Sequence, residues 1–141
     1  MTPTNKTMPY TAMFDLTEDP TSLALIQAFA VANKPVAAVC HGSCVLLNAK
    51  APSGVPLISG VSVTGFSNDE EDAVNLSAAM PFMLETELGR VSGGKYVKAA
   101  EPWGEMVVVG KAAETGSTII TGQNPGSATA VGKAILKELG L

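Results

Sequence analysis

The sequence predicts an α/β fold with a doubly wound, mostly parallel sheet and helices on both faces. The first observation is a short apolar run without charge, Val36–Val39, which is typical of a strand buried on both sides. The second is that β-rich and helical stretches alternate along the chain, as they do in βα units. The third is the composition, because 46% hydrophobic and 16% charged residues suit a buried core.

The length and the net charge of the chain limit the number of domains and the kinds of partner that we expect. Its 141 residues suffice for one domain, and a formal net charge of −4 gives no reason to expect nucleic acid or anionic membrane as a partner. Apolar stretches are too short to span a bilayer, and residues 1–11 lack the basic-then-apolar pattern of a signal peptide. We therefore expect a soluble, cytoplasmic protein.

The cysteines and histidine limit metal and cofactor chemistry. Cys40 and Cys44 lie four residues apart, and a disulfide between them on one helix would strain the backbone. With a single histidine the chain has no zinc-finger spacing, so we expect no structural metal. The glycines at residues 122–126 form no phosphate-binding pattern, and we expect no nucleotide and no cofactor.

The elements follow from turn residues and from the spacing of apolar positions. One face of the first helix carries the apolar residues Leu23, Ile26, Phe29 and Ala30. The acidic run at residues 67–72 is typical of a helix start, because carboxylates favour helix N-termini. In chain order the predicted elements are a loop or frayed end at residues 1–11, a helix capped by Thr21 or Ser22 and closed by Asn33, the strand Val36–Val39, a helix at 43–49, extended pieces at 57–60 and 61–64, a helix at 67–84 that breaks at Pro81, strands at 96–100, 106–109 and 117–121, and a helix at 128–139.

Cys40, directly after the buried strand, is the candidate nucleophile. A thiol on a strand-to-helix turn projects out of the sheet, beside the N–H groups that begin the helix. The helix dipole favours a thiolate there, so we expect Cys40 to be reactive at neutral pH. Gly42 leaves room for a close turn, and His41 supplies a proton acceptor beside the thiol. The alternative is an inert core cysteine.

Four segments resemble one protein family. Ala-Val-Cys-His-Gly at residues 38–42 resembles the nucleophile elbow of the DJ-1/PfpI superfamily, and more narrowly that of the Hsp31-like, glutathione-independent glyoxalases. The other three, in matching order, are Ala-Met-Phe-Asp-Leu at 12–16, Val-Thr-Gly-Phe-Ser-Asn-Asp-Glu-Glu at 63–71 and Ile-Thr-Gly-Gln-Asn-Pro-Gly-Ser-Ala at 120–128. The resemblance, from about residue 12 to the C-terminus, implies a truncated form of the family's flavodoxin-like fold.

The resemblance also implies an activity and a set of site residues. The activity is that of a cofactor-free lyase of the glyoxalase III type, which converts methylglyoxal, a small carbonyl substrate, into lactate. Cys40 and His41 match the family's cysteine and histidine, and Glu71 matches the carboxylate that orients the histidine. Glu70 is the neighbouring alternative, and a solvated first helical turn is the ordinary role of either glutamate. The residues predicted to line the oxyanion site or the pocket are Gly42, Tyr10, Thr11, Trp103 and Asn124, with packing as the alternative role of the last two.

The chain departs from the family pattern before residue 12. Relatives carry a Gly-Gly-His-Gly segment whose N–H groups help to hold the oxyanion, whereas this chain has Met-Pro-Tyr-Thr at residues 8–11. Pro9 has no N–H to donate. The family's first strands and an assisting glutamate come from a region that this sequence does not contain. We therefore expect a homodimer or higher oligomer that covers the exposed sheet edge.

Two other functions are compatible with the same residues. One keeps the elbow for a different lyase, isomerase or hydrolase reaction on another small or natural-product electrophile. The other is non-catalytic, with an apolar outer surface that binds other chains as a chaperone or interaction protein.

Overall fold

Three strands and four α-helices form the frame of the computed structural model, which describes residues 11–141. The α/β class predicted from the sequence is confirmed. The strands are β1 (Val36–Val39), β2 (Val107–Lys111) and β3 (Thr118–Gly122), and the helices are α1 (Pro20–Val31), α2 (Asn68–Ala73), α3 (Leu84–Val91) and α4 (Ala128–Glu138). Short 3-10 helices lie at Thr11–Met13, Cys40–Leu46, Ser77–Ala79 and Pro125–Ser127.

The sheet has the order β1-β3-β2 and is mixed rather than mostly parallel. β1 and β3 are parallel, with Val36 opposite Ile119 and Val39 opposite Gly122. β2 and β3 are antiparallel because a connection of only six residues joins them, which is too short for a parallel crossover. β3 is central, and all five of its residues are buried.

Helix α1 begins at Pro20, so the two predicted caps, Thr21 and Ser22, both lie inside the helix. Asp19 is the cap: its side chain accepts a hydrogen bond from the Ser22 N–H at 2.7 Å, and proline is favoured at the first helical position. Asn33, in the left-handed conformation with φ 55°, follows the helix end as predicted. Phe29 is 45% exposed, so its predicted place on the inner face was wrong, whereas Ala30 on that face is fully buried.

Residues 73–84 do not form the helix, broken only at Pro81, that the sequence predicts. Asn75 takes the left-handed conformation with φ 58°, which ends α2 at Ala73, and α3 starts only at Leu84, after Pro81. The extended pieces predicted at 57–64 and 96–100 reduce to one isolated bridge between Val63 and Tyr96. These pieces are too short for a ladder, and they lie beside the three-stranded sheet rather than in it.

The core lies around the segment that follows β1. This elbow segment, Cys40–Leu46, is a 3-10 helix and not the predicted α-helix reaching residue 49. It packs against the Thr11–Met13 turn and against α3. Cys44 and Leu46 of this segment belong to one core cluster, whose other members include Met13, Ile58, Val63, Phe66, Leu84, Leu88 and Ile119. Cys44 is fully buried in this core, so it behaves as a small apolar residue.

None of the helices described between residues 11 and 141 has the length and apolar character needed to cross a bilayer.

Gly122 provides a test of the packing between β3 and α4. A Cβ atom at this position would lie 2.7 Å from Val131 Cγ2 and 3.1 Å from Ser127 Cβ. We expect Gly122→Ala to lower the free energy of unfolding by about 1–3 kcal/mol, the usual cost of overpacking. Urea unfolding measures the effect.

Gly132→Ala is the matched control, because its Cβ would meet no atom within 4 Å and the residue lies inside α4. We expect this variant to be stabilised by about 0.5–1 kcal/mol, since alanine favours a helix over glycine. Equal stabilities of the two variants would contradict the close approach of β3 and α4.

Candidate active site

The backbone bends sharply at Cys40. Val39 is extended, with φ −132° and ψ 141°, and Cys40 is left-handed, with φ 60°. A non-glycine residue in this region stores about 1–3 kcal/mol of strain, a feature that clusters at functional sites. Gly42 does not have a positive φ, and a Cβ there would meet no atom within 4 Å. The expectation that Gly42 permits the turn was therefore wrong, because Cys40 itself makes it.

The bend brings Cys40, His41 and Glu71 into line. The Cys40 Sγ lies 3.5 Å from His41 Nδ1, and His41 Nε2 lies 2.7 Å from Glu71 Oε2. Because a carboxylate only accepts hydrogen bonds, the short contact assigns the imidazole proton to Nε2. The lone pair of Nδ1 then faces the thiol, and this is the tautomer that a general base needs.

The Glu71–His41 pair is buried, with 3% and 4% exposure. The second carboxylate oxygen of Glu71, Oε1, is also buried and has no hydrogen-bond partner among residues 11–141. The N–H of His41 is therefore the main stabilising contact of this carboxylate. A positive charge on the imidazole would strengthen the pair, since an ion pair is stronger away from water.

The two consecutive glutamates of α2 have different roles. Ser67 caps the helix in a reciprocal capping box with Glu70, and this fixes the orientation of the first turn. Neighbouring residues on a helix point about 100° apart, so Glu71 is directed at His41 when Glu70 faces its cap. The structure thus assigns the contact with His41 to Glu71. The sequence alone left Glu70 as an alternative.

Glu70 is fully buried and makes a polar cluster of its own. Its Oε2 accepts from the Ser67 N–H at 2.9 Å, and its Oε1 accepts from Asn124 Nδ2 at 2.8 Å and from the Trp103 N–H at 2.9 Å. Burial by itself raises the pKa of Glu70, but these hydrogen bonds together outweigh burial and lower it. Glu70 is therefore a carboxylate at neutral pH.

The environment of Cys40 favours the thiol over the thiolate. Burial raises the pKa of Cys40 to about 11, and the negative charges of Glu70 and Glu71 add to that increase. The backbone N–H of His41 donates toward the sulfur and lowers the pKa by a smaller amount. The sequence predicted that the helix dipole would favour a thiolate, and the raised pKa differs from that prediction because a short 3-10 helix does not offset the loss of solvation.

The residues predicted to line the pocket lie in different environments. Asn124 is fully buried, and its Nδ2 donates to Glu70 and to the Gly104 carbonyl oxygen, so it supports the loop and does not line a cavity. Trp103 is half-exposed, and Gly42 is partly exposed at the elbow. Thr11 is exposed in the turn that packs on the elbow segment. Tyr10 lies outside the described residues.

Phe66 is a site residue that the sequence reading did not identify. Its ring centroid lies 4.3 Å from that of His41 and 5.6 Å from that of Trp103. Its N–H donates to the Cys40 carbonyl oxygen at 3.4 Å. No local signal marks Phe66, because its neighbours are distant in sequence. The Ser-x-x-Glu pattern at residues 67–70 does predict a capping box and could have identified the role of Glu70.

No group of three His, Cys, Asp or Glu side chains within residues 11–141 is placed to hold a metal ion. The chemistry that the geometry offers is that of a thiol with an adjacent imidazole base and a buried carboxylate behind it.

Known proteins with similar sequences are named glyoxalases, although no family model matches the chain. A probable glutathione-independent glyoxalase of Schizosaccharomyces pombe is 32% identical over 107 residues, which are 74% of this chain and 46% of the relative. Glyoxalase 3 of Candida albicans is 30% identical, over 72% of this chain and 42% of the relative. The chain therefore spans about half the length of the curated relatives it matches.

Solved structures with a similar fold include one that is named a glyoxalase. The Rapid Encystment Protein of 24 kDa from Francisella tularensis superposes with a TM-score of 0.81 at 36% identity, over 92% of this chain and 54% of that one. Glyoxalase III from Candida albicans superposes with a TM-score of 0.79 at 25% identity, over 89% and 52%. The sequence matches and the shared fold together fit the Hsp31-like, glutathione-independent glyoxalase branch of the DJ-1/PfpI superfamily.

Proposed function

We propose that this chain carries the cysteine site of a glutathione-independent glyoxalase, which converts a 2-oxoaldehyde such as methylglyoxal into the 2-hydroxy acid lactate. The observation that carries the proposal is the line Cys40–His41–Glu71, in which a thiol, a base and an orienting carboxylate succeed one another within hydrogen-bonding distance. The relatives named glutathione-independent glyoxalases support the same reaction class.

The first step is attack of the Cys40 sulfur on the aldehyde carbon. The thiol proton passes to His41 Nδ1 as the carbon–sulfur bond forms, because a thiol with a pKa of about 11 is protonated at neutral pH. Glu71 stabilises the resulting imidazolium through its contact with Nε2. The aldehyde oxygen then takes this proton from the imidazolium, so the product of the step is a hemithioacetal and His41 is neutral again. We assign the stabilisation of the developing oxyanion to the His41 backbone N–H, a fixed donor that is directed at the sulfur.

The second step moves a proton between two adjacent carbons. A base removes the proton from the former aldehyde carbon, and an enediol forms. Protonation at the neighbouring carbon turns the former ketone into an alcohol and leaves a thioester on Cys40. His41 is the base in this chain, since its ring lies beside the sulfur. Water then cleaves the thioester, so that methylglyoxal and one water give lactate and the free thiol returns.

A reducing compartment, the cytoplasm, agrees with this chemistry, because the reaction needs Cys40 as a free thiol, and both cysteines are free.

We also propose that a second copy of the chain covers the outer edge of β1. Helix α1 beside it contains no charged residue, and Leu25, Phe29 and Val31 are exposed on it. A helix that is apolar on all sides is ordinarily buried. An apolar cleft of about 210 Å³ runs between α1 and β1, lined by Leu25, Ile26, Phe29, Pro35, Val36 and Ala37. Two copies related by a two-fold axis would pair both strand edges and cover both helices.

Replacement of Glu71 tests the relay. In Glu71→Gln the amide can donate to Nε2, which favours the tautomer with its proton on Nδ1 and removes the lone pair that faces Cys40. We expect lactate formation from methylglyoxal to fall about 10²–10⁴-fold, and to be abolished in Cys40→Ala. Enzymatic assay of lactate measures both.

Glu87→Gln is the control for the loss of a carboxylate, because Glu87 forms only a surface ion pair with Arg90. Its rate should match the wild type. A Glu71→Gln rate equal to that of Glu87→Gln would remove Glu71 from the mechanism.

The pH dependence of alkylation tests the protonation state of Cys40. Because its pKa is raised to about 11, the thiolate fraction, and with it the iodoacetamide rate, should rise about tenfold per pH unit from pH 7 to 10. Mass spectrometry in a Cys44→Ala background isolates the Cys40 signal. A rate that is already constant below pH 7 would instead indicate a resting thiolate–imidazolium pair.

A charge on α1 tests the proposed dimer. We expect the wild type to be a dimer by light scattering coupled to size exclusion, and Leu25→Glu to be a monomer, because the carboxylate would be desolvated in the interface. Leu136→Glu, an equally exposed leucine on α4, is the matched control and should remain dimeric. A monomeric wild type, or dissociation in both variants, would contradict an interface at β1.

A further inference from the structure

Trp103 occupies a backbone position that disfavours bulky residues. Its φ is 66°, in the left-handed region. It is the third residue of a turn in which Pro102 is second and the Gly104 N–H donates to the Glu101 carbonyl oxygen at 3.2 Å. A turn with proline second and a left-handed third residue ordinarily has glycine or asparagine there. A tryptophan at this place is strained, and the surrounding structure must enforce it.

Two buried side chains from other elements hold the turn in place. The Trp103 N–H donates to Glu70 Oε1 at 2.9 Å, and Asn124 Nδ2 donates to the Gly104 carbonyl oxygen at 2.7 Å. Asn124 Nδ2 also donates to Glu70 Oε1 at 2.8 Å, so α2, the turn and the second residue after β3 share one hydrogen-bond network. Both Glu70 and Asn124 are fully buried, which makes the network costly to break.

The strain does not serve to bury the indole. Trp103 is 48% exposed, and within residues 11–141 its ring contact is an edge contact with Phe66, at 5.6 Å between centroids. A tryptophan placed for core packing would bury most of its area. The fixed backbone therefore holds an aromatic surface open to solvent.

Two ring contacts connect Trp103 to the histidine next to the candidate nucleophile. Phe66 contacts Trp103 on one side and His41 on the other, where the ring centroids are 4.3 Å apart. A single phenyl ring thus separates the indole from the imidazole that faces the Cys40 sulfur. Aromatic rings favour edge and offset contacts with further rings, and an exposed indole edge can accept one from a ligand.

We propose that Trp103 is a specificity-determining residue of the Cys40 site, where its indole contacts the substituent next to the reacting carbonyl and favours aryl-substituted 2-oxoaldehydes. This inference rests on the proposed glyoxalase function and narrows its substrate class. Phenylglyoxal is the probe for an aryl substituent, and methylglyoxal is the probe for a small one. Their products by the same chemistry are mandelate and lactate.

Trp103→Gly removes the indole and relieves the backbone strain together. We expect the ratio of kcat/KM for phenylglyoxal to that for methylglyoxal to fall about three- to tenfold, the size of one aromatic contact. We expect the midpoint of urea unfolding to change little, because glycine accepts the positive φ. Leu136→Ala, which truncates a similarly exposed apolar side chain on α4, is the control and should keep the wild-type ratio. An unchanged ratio in Trp103→Gly would overturn the inference.

Binding can be measured without turnover, because Trp103 is the only tryptophan of the chain. We expect mandelate to change its fluorescence at a lower concentration than lactate does. Equal responses to the two acids would overturn the inference. If neither aldehyde is converted and mandelate still acts at the lower concentration, the glyoxalase proposal fails together with the 2-oxoaldehyde substrate class, and only the contact of Trp103 with an aryl group stands. If both aldehydes are converted with the same ratio in Trp103→Gly, the role of Trp103 fails and the glyoxalase proposal stands.

Discussion

The left-handed backbone at Cys40 is the constraint on which the site depends. On a regular strand, the side chains of residues 40 and 41 would point to opposite faces of the sheet. A φ of 60° at Cys40 interrupts this alternation, and the sulfur and the imidazole nitrogen come within 3.5 Å of each other. The strain is retained because β1 pairs with β3 and the elbow segment is packed in the core.

The same bend gives the site its chemical character. It places the thiol where burial and two carboxylates oppose ionisation, so the pKa of Cys40 is raised to about 11. It also places the base next to the thiol, with Glu71 behind it. With this pKa, Cys40 is a thiol rather than a thiolate at neutral pH.

Two adjacent glutamates on one short helix have different partners. The capping box at Ser67 orients α2, and the helical turn sends Glu71 toward His41 and Glu70 toward Trp103. Glu70 is a carboxylate held by several hydrogen bonds, whereas among residues 11–141 the Glu71 carboxylate is held through Oε2 by His41, and its Oε1 has no partner. Glu70 is suited to hold the strained loop at Trp103, and Glu71 is suited to stabilise a positive charge on the His41 imidazole.

Much of the frame was readable from the sequence. The uncharged run at Val36–Val39 and the apolar spacing of the last helix predicted β1 and α4 almost to the residue. The helix that was expected through residues 73–84 failed at Asn75, whose left-handed conformation has no strong signature in the surrounding residues. The sequence predicted a mostly parallel sheet from the overall fold class, and this prediction missed the antiparallel pairing of β2. The direction of β2 is set by its short connection to β3, because a short connection cannot join parallel strands.

By itself, the sequence determined which groups could do chemistry: one thiol at the end of a buried strand, one histidine beside it, and two carboxylates at a helix start. Only the tertiary structure decided which carboxylate meets the histidine, how far burial opposes ionisation of the thiol, and that Phe66 packs between His41 and Trp103. The reason is physical. Local patterns encode backbone preferences, whereas pKa values and side-chain partners depend on groups some thirty residues or more away that folding brings together and removes from water.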